Sequence, residues 1–302
     1  MALKQVKNKI IATKKTGQVT KAMESVSAVK MRKSQERALL GRPYVHSAMR
    51  ILARLSSSWD GIHHPLMKSR GGDKRLLIIV TSDKGLAGSV NSAVLKKVEE
   101  SLVTADTSTY EAICVGRKAL DFCNRNYIEV IHEYTNVRDD VALADVSSIA
   151  ATALEKFAGG EYNHVHIIYQ NFLSTFEQEA TKRQVLPLRT EVIREVMAGI
   201  KPKEGKFSDE ELNLDNKIAY TVEPSPDQVL DTLVPQLVQV LIYHALLESK
   251  ASEHSARMVA MKNATDKSKE VVKALTIKFN KARQAAITAE VSEITAGVEA
   301  MK

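Results

Sequence analysis

Residues 261–296 read MKNATDKSKEVVKALTIKFNKARQAAITAEVSEITA. Within them Met261, Thr265, Ser268, Val272, Leu275, Phe279, Ala282, Ala286, Ala289 and Ala296 recur in alternating steps of four and three, the spacing that keeps one helix face against another helix. Only Glu293 puts a charge into this seam. No proline follows Pro235 and Gly297 is the only late glycine, so the stretch predicts one continuous helix over 226–302. At about 1.5 Å per residue it is roughly 100 Å long, a rod and not a globular core. The seam thins from Leu275 and Phe279 to alanines, which predicts close backbone approach and a slender tip.

A rod of this kind needs a second helix, and residues 1–58 supply it. Leu3, Val6 and Ile10, then Val19, Ala22, Val26 and Val29, are read as one apolar face. Gly41-Arg42-Pro43 is expected to bend this helix, because proline removes a backbone donor. The sequence therefore predicts a long antiparallel coiled coil of the two terminal helices.

Between them, over 59–225, the period changes. Residues 59–73 carry Gly61, Pro65, Gly71 and Gly72 and read as a linker. Strands are expected at 75–82, 111–115, 127–132 and 164–171, alternating with helices over 89–102, 117–126 and 141–157. That alternation predicts a Rossmann-like α/β domain with a mainly parallel sheet. Residues 182–190, with Pro187 inside, read as an edge strand. Residues 201–211 read as a charged excursion before 220–226 returns the chain to the last helix. The fold is thus a mixed α/β chain in three parts, 1–58, 59–225 and 226–302.

Charge is concentrated on the two helices. Ten Lys and Arg stand against Glu24 and Glu36 in residues 1–37, and nine against Glu253, Asp266 and Glu270 in residues 250–283. Such belts want an acidic partner: nucleic acid, anionic lipid or acidic protein loops. A nucleic-acid-binding helical hairpin is the competing reading, yet Phe279 is the only aromatic in either belt and it lies in the seam. The two cysteines, Cys114 and Cys123, suggest no disulfide framework, and Val229–Leu247 is too interrupted by polar residues and Pro235 to be read as a membrane span.

Catalytic patterns are weak. TSDKGLAG at 81–88 joins a strand to a helix, where backbone N–H groups can cradle phosphate. It matches neither G-x-x-x-x-G-K-[ST] nor G-x-G-x-x-G, so a tight turn presenting Asp83 and Lys84 to a partner is the preferred reading. His164 and His166 share a strand face, but no carboxylate or cysteine cluster completes a metal site with them or with His63 and His64. Ser57, Ser58 and Cys114 lack a nucleophile elbow. No catalytic residue, cofactor or metal is expected.

Six stretches together resemble the γ subunit of F-type ATP synthase, across the whole chain. They are TKAMESVSAVKMRKSQ at 20–35, RPY at 42–44, TSDKGLAG at 81–88, EPSPDQVLDTL at 223–233, ARMVAMKNATD at 256–266 and NKARQAAITAEVSEI at 280–294. The resemblance implies a central rotor shaft inside a hexamer of α and β subunits. Its foot would sit beside a small ε-type stalk subunit and the membrane c-ring. ATP, ADP and Mg would bind the partner subunits and not this chain. It further implies that Met23 and Arg257 meet acidic lever loops of the catalytic subunits, and that Arg283, Gln284 and Thr288 hydrogen-bond to catch loops. Tyr220 and Glu223 are candidates for the foot that meets the ring. The paired regulatory cysteines of photosynthetic relatives are absent, and thiol regulation through Cys114 and Cys123 is not expected. With no transit peptide ahead of the first helix, the expected location is peripheral, on the cytoplasmic face of a bacterial energy-transducing membrane. A mature organellar chain is the alternative.

Overall fold

The computed structural model describes residues 3–40, 47, 51, 64–102, 109–189, 223 and 225–301. In chain order these form α1 (Leu3–Leu40), β1 (Arg75–Val80), α2 (Val90–Leu102), β2 (Tyr110–Val115), α3 (Arg117–Arg125), β3 (Glu129–Tyr134), α4 (Leu143–Ala158), β4 (His164–Phe172), β5 (Gln178–Leu186) and α5 (Pro226–Glu299). Packing divides the chain into two compact units, one of Ala28–Ala256 and one joining Met1–Ser27 to Arg257–Lys302. The expected bend at 41–43, the excursion at 201–211 and Tyr220 lie outside the described residues.

The unit of Ala28–Ala256 is built on a sheet of order β3-β2-β1-β4-β5. Strands β1 to β4 run parallel and β5 is antiparallel to β4. From Leu76 to Val80 every residue of β1 is buried, which explains its unbroken apolar run: a central parallel strand is covered on both faces. Leu77 and Ile79 face Val94 and Val98 of α2 and Phe122 of α3. Leu76, Ile78 and Val80 face Ile149 and Phe157 of α4 and Leu230 to Leu247 of α5. The first part of α5 is long and apolar enough to cross a membrane by composition. Its apolar side chains are instead the second-face core of this sheet.

Three expectations for this unit need correction. Strand β3 starts at Glu129, because Tyr127 takes a positive φ of 53° in the turn before it. Strand β5 covers Gln178–Leu186 and stops before Pro187, which has no N–H to give a ladder. The end of the supposed linker is docked: Leu66 is buried, its carbonyl accepts from Leu188 N at 2.8 Å, and His64 Nε2 lies 3.2 Å from Asp231.

In the other unit, Thr20 Oγ1 and Thr265 Oγ1 share a hydrogen bond of 2.7 Å, and a Cβ on Gly17 would stand 3.3 Å from that of Ser268. On α5 the inward residues are those of the seam, Met261, Thr265, Ser268, Val272, Leu275, Phe279, Ala282 and Ala286. Ala289 and Ala296 are exposed, contrary to their place in the predicted seam. On α1 the inward face is Leu3, Val6, Ile10, Thr13, Gly17 and Thr20. The expected continuation through Val19, Ala22, Val26 and Val29 is wrong: Val19 is 58% exposed and Val26 54%. Close packing at Gly17 selects small and hydroxylated residues there, so hydrophobicity alone chose the wrong stripe.

The sheet makes the fold acid-sensitive. Burial, with the neighbouring charges of Lys182, His164 and Arg75, pushes His166 down to about 3. The unfolded chain then binds more protons than the folded one between that value and 6.5, so stability is full above pH 6.5 and falls as pH drops. We expect the unfolding free energy to fall by about 1–2 kcal/mol between pH 6.5 and 5. Urea titrations at both values check this, and His166→Gln should flatten the difference; an unchanged slope in that variant would refute it.

Candidate functional site

In an open parallel sheet, ligands bind beyond the carboxyl ends of the strands where the strand order reverses, here between β1 and β4. The TSDKGLAG turn leaves β1 at this point. Thr81 N donates to Val115 O at 2.8 Å, and Thr81 Oγ1 accepts from Ala119 N at 2.8 Å. Asp83 Oδ1 accepts from Arg117 N at 3.1 Å. The threonine and aspartate thus cap the first turn of α3, which follows the neighbouring strand β2, and so have a structural role of their own. Ser82 is tied to Asn91 and to the Lys84 carbonyl. Leu86 and Gly88 take positive φ values, and Leu86 and Lys84 are exposed at the tip.

The crevice itself is filled by α5. Over the ends of β1 and β2, Leu246, Ser249, Lys250 and Glu253 close against Val80, Thr81, Val115 and Gly116, leaving a cavity of about 10 Å³; over β4 the helix is tied by its serines. Ser252 Oγ donates to Gln170 O at 3.2 Å, and Ser255 Oγ donates to Thr175 O at 2.5 Å. The helix therefore sits where a nucleotide sits in other doubly wound sheets. Among the described residues no group of three or more His, Cys, Asp or Glu is arranged to hold a metal.

One carboxylate gathers several elements. Asp139, between β3 and α4, accepts from Lys30 of α1 at 2.6 Å and pairs with His254 of α5 at 3.0 Å. Lys250 donates to Val137 O at 3.0 Å beside it. Partial burial alone would raise the Asp139 carboxyl, but the Lys30 hydrogen bond and the charges of His254 and Lys250 hold it below the usual carboxylate range. Sequence reading missed this residue, since Lys30, Asp139 and His254 are far apart in the chain.

The sequence-predicted surface residues fall as follows. Met23 is half-buried on α1, and Arg257 is 8% exposed and engaged within the chain. Arg283, Gln284 and Thr288 are exposed on α5, where Thr288 Oγ1 donates to Gln284 O at 2.9 Å. Glu223 is exposed. Cys114 and Cys123 are buried, with sulfurs 3.5 Å apart; that hydrogen bond and burial push the Cys114 thiol up. A feature not anticipated is a second apolar stripe on α5 and the turn after it: Ile287, Val291, Ile294 and Val298, then Met301, are all exposed, again at steps of four and three. The same periodicity count, run in a second register, finds it.

The sheet unit is thus a doubly wound sheet whose ligand crevice is filled by the chain's own helix α5. The sequence profile of the ATP synthase family matches residues 2–301. The chain belongs to that family, as a γ subunit of the F-type enzyme, a non-catalytic part of a membrane-associated complex. Among solved structures, a chain of the Tetrahymena thermophila mitochondrial ATP synthase central stalk and c-ring is 24% identical. It covers 82% of this chain and 99% of its own, with a TM-score of 0.57. A rotor chain of the Euglena gracilis mitochondrial enzyme, in rotational state 1, is 16% identical over 94% of this chain and 98% of its own, at a TM-score of 0.58. Another Euglena chain, from the OSCP, F1 and c-ring assembly in rotational state 3, is 18% identical over 99% and 94%, at a TM-score of 0.62. At these identities the likeness is one of fold.

Proposed function

We propose that this chain is the central rotor shaft of its ATP synthase, carrying ion-driven rotation of the membrane ring to the catalytic sites of an α/β hexamer. The observation that carries the reading is α5, a helix of 74 residues over Pro226–Glu299, far longer than a globular core needs. The parts 1–58, 59–225 and 226–302 are then shaft helix, foot and shaft helix. The terminal helices pair as an antiparallel coiled coil in the register set by Gly17 with Ser268 and Thr20 with Thr265, which brings Val6 to Phe279 and Ile10 to Leu275.

The chain supplies torque and no catalysis. ATP, ADP and Mg stay on the partner subunits, in keeping with a crevice already occupied by Ser249, Lys250 and Glu253. Met23 and Arg257 serve the acidic lever loops. Arg283, Gln284 and Thr288 serve the catch loops, and Lys84, Tyr220 and Glu223 face the ε-type subunit or the c-ring. The exposed stripe from Ile287 to Met301 runs in an apolar sleeve of the hexamer. The membrane face is the cytoplasmic face of a bacterial membrane, and recovery from organellar membranes would overturn that part.

A tagged chain drawn from gently solubilised membranes should bring with it a large ATP-hydrolysing complex; recovery of the chain alone or with nucleic acid would refute the shaft reading. Within the complex, Met23→Lys adds a cation beside Lys21. Each new contact at one angle, worth about 1 kcal/mol, should slow escape from that angle about fivefold. ATP-driven ion pumping should fall more than assembly does, and unchanged pumping would count against the lever-loop contact.

A further inference from the structure

One side-chain cluster of the sheet unit, at the opposite end of the strands from the crevice, lacks answering partners. Arg75 of β1 pairs in register with His164 of β4, and Leu77 with His166. Residues two apart share a strand face, so Arg75, His164 and His166 lie on the α2 side of the sheet with Leu77 and Ile168. Lys182 of β5 stands opposite Ile168 and so joins them, diagonal to His166. The two imidazole centroids are 6.0 Å apart, and all four side chains are partly buried.

Their bonding is incomplete. Arg75 Nη1 donates to Tyr110 Oη at 2.7 Å, but Arg75 Nε is buried without a partner, as are Nδ1 of His164 and Nδ1 of His166. Buried nitrogens left unpaired are rare in native folds and point to a bonding group that completes them. Neither imidazole is held by a hydrogen bond among the described residues, so each can turn to offer an N–H outward. Lys182 has no ion pair among them either, and the charges that act on it, Arg75 and Lys97, are both positive. Asp73 is the acidic group that acts on the cluster, and it is 82% exposed at 3.8 Å from Arg75 Nη2.

We infer that this cluster is a binding site for an oxyanion of the phosphate class, held by the Arg75 guanidinium, the imidazole N–H groups of His164 and His166 and the Lys182 ammonium. A metal cation would suit the imidazoles but would meet Arg75 and Lys182 at close range. A single carboxylate offers two oxygens to donors on three adjacent strands, whereas phosphate offers up to four. The inference stands on this cluster and does not depend on the rotor reading.

Urea unfolding of the full-length chain at pH 7 tests it, with millimolar phosphate compared with potassium chloride at equal ionic strength. Phosphate should raise the unfolding midpoint saturably, and chloride should not. Lys182→Gln should act in two opposite directions. It should raise the midpoint of the phosphate-free chain, because like charges no longer repel, and weaken phosphate binding about tenfold. His166→Gln should weaken phosphate by a similar factor, while Lys278→Gln, at an exposed position on α5, should respond as the parent does. The proposal fails if chloride reproduces the effect or if Lys278→Gln loses as much. It fails also if Lys182→Gln lowers the phosphate-free midpoint, since the ammonium would then already have an internal partner. Glycerol 3-phosphate separates the sources: binding equal to that of orthophosphate assigns the site to the phosphate end of a larger molecule, and its exclusion assigns the site to the free ion.

Discussion

Gly116→Ala should lower the unfolding free energy by about 3–5 kcal/mol, the largest effect we expect from adding a single methyl group to this chain. Gly116 lies between β2 and α3 with a φ of 92°, a region that side chains rarely enter. An added Cβ would stand 2.3 Å from the carbonyl oxygen of Thr81, on the backbone and not on a side chain that can turn away. To relieve the clash β1 must move from β2 just where Thr81 N bonds Val115 O, and Thr81 must let go of the first turn of α3. Urea unfolding followed by far-ultraviolet circular dichroism gives the value. Gly85→Ala is the comparison: nothing lies within 4 Å of its Cβ, so its effect should stay within about 0.5 kcal/mol. Equal effects at the two sites would refute the close approach of Gly116 to Thr81.

Ser252→Leu should cost about 3 kcal/mol, whereas Ser252→Ala should cost about 1. Ser252 is fully buried where α5 fills the crevice at the carboxyl ends of the strands, and its hydroxyl donates to Gln170 O. Alanine removes only that hydrogen bond. Leucine also forces extra volume between α5 and β4, and the helix must lift from the sheet. Hydrogen exchange should then rise along Thr81–Gly88 and at the start of α3, which that turn caps. A leucine variant as stable as the alanine one would mean that the crevice is loosely filled. If the chain is the rotor shaft proposed above, a lifted helix would be held less firmly to the sheet, and coupling should fall with stability.

Much of this architecture was legible beforehand. The run RLLIIV announced a strand, and the structure adds that it is central, with both faces covered. The four-three spacing from Met261 to Ala286 announced a helix face in contact, and those residues are the inward ones. The turn at Thr81–Gly88 differs in spacing from the phosphate-binding motifs, but nothing local revealed that Thr81 and Asp83 would cap α3. The inward face of α1 was misread beyond Ile10. There the seam is made of Thr13, Gly17 and Thr20, and apolar patterning followed Val19 and Val26 to the outside instead.

Local sequence determined what the backbone itself constrains: helix continuity where proline is lacking, strand burial where both faces are apolar, and turns where glycine permits positive φ. The motifs together also determined the family. Tertiary structure alone decided what fills the crevice, which α1 face turns inward, and that Asp139 joins Lys30 to His254. Each of these depends on groups distant in the chain meeting at close range, and the energies involved, steric at Gly17 and electrostatic at Asp139, exist only once the chain has folded.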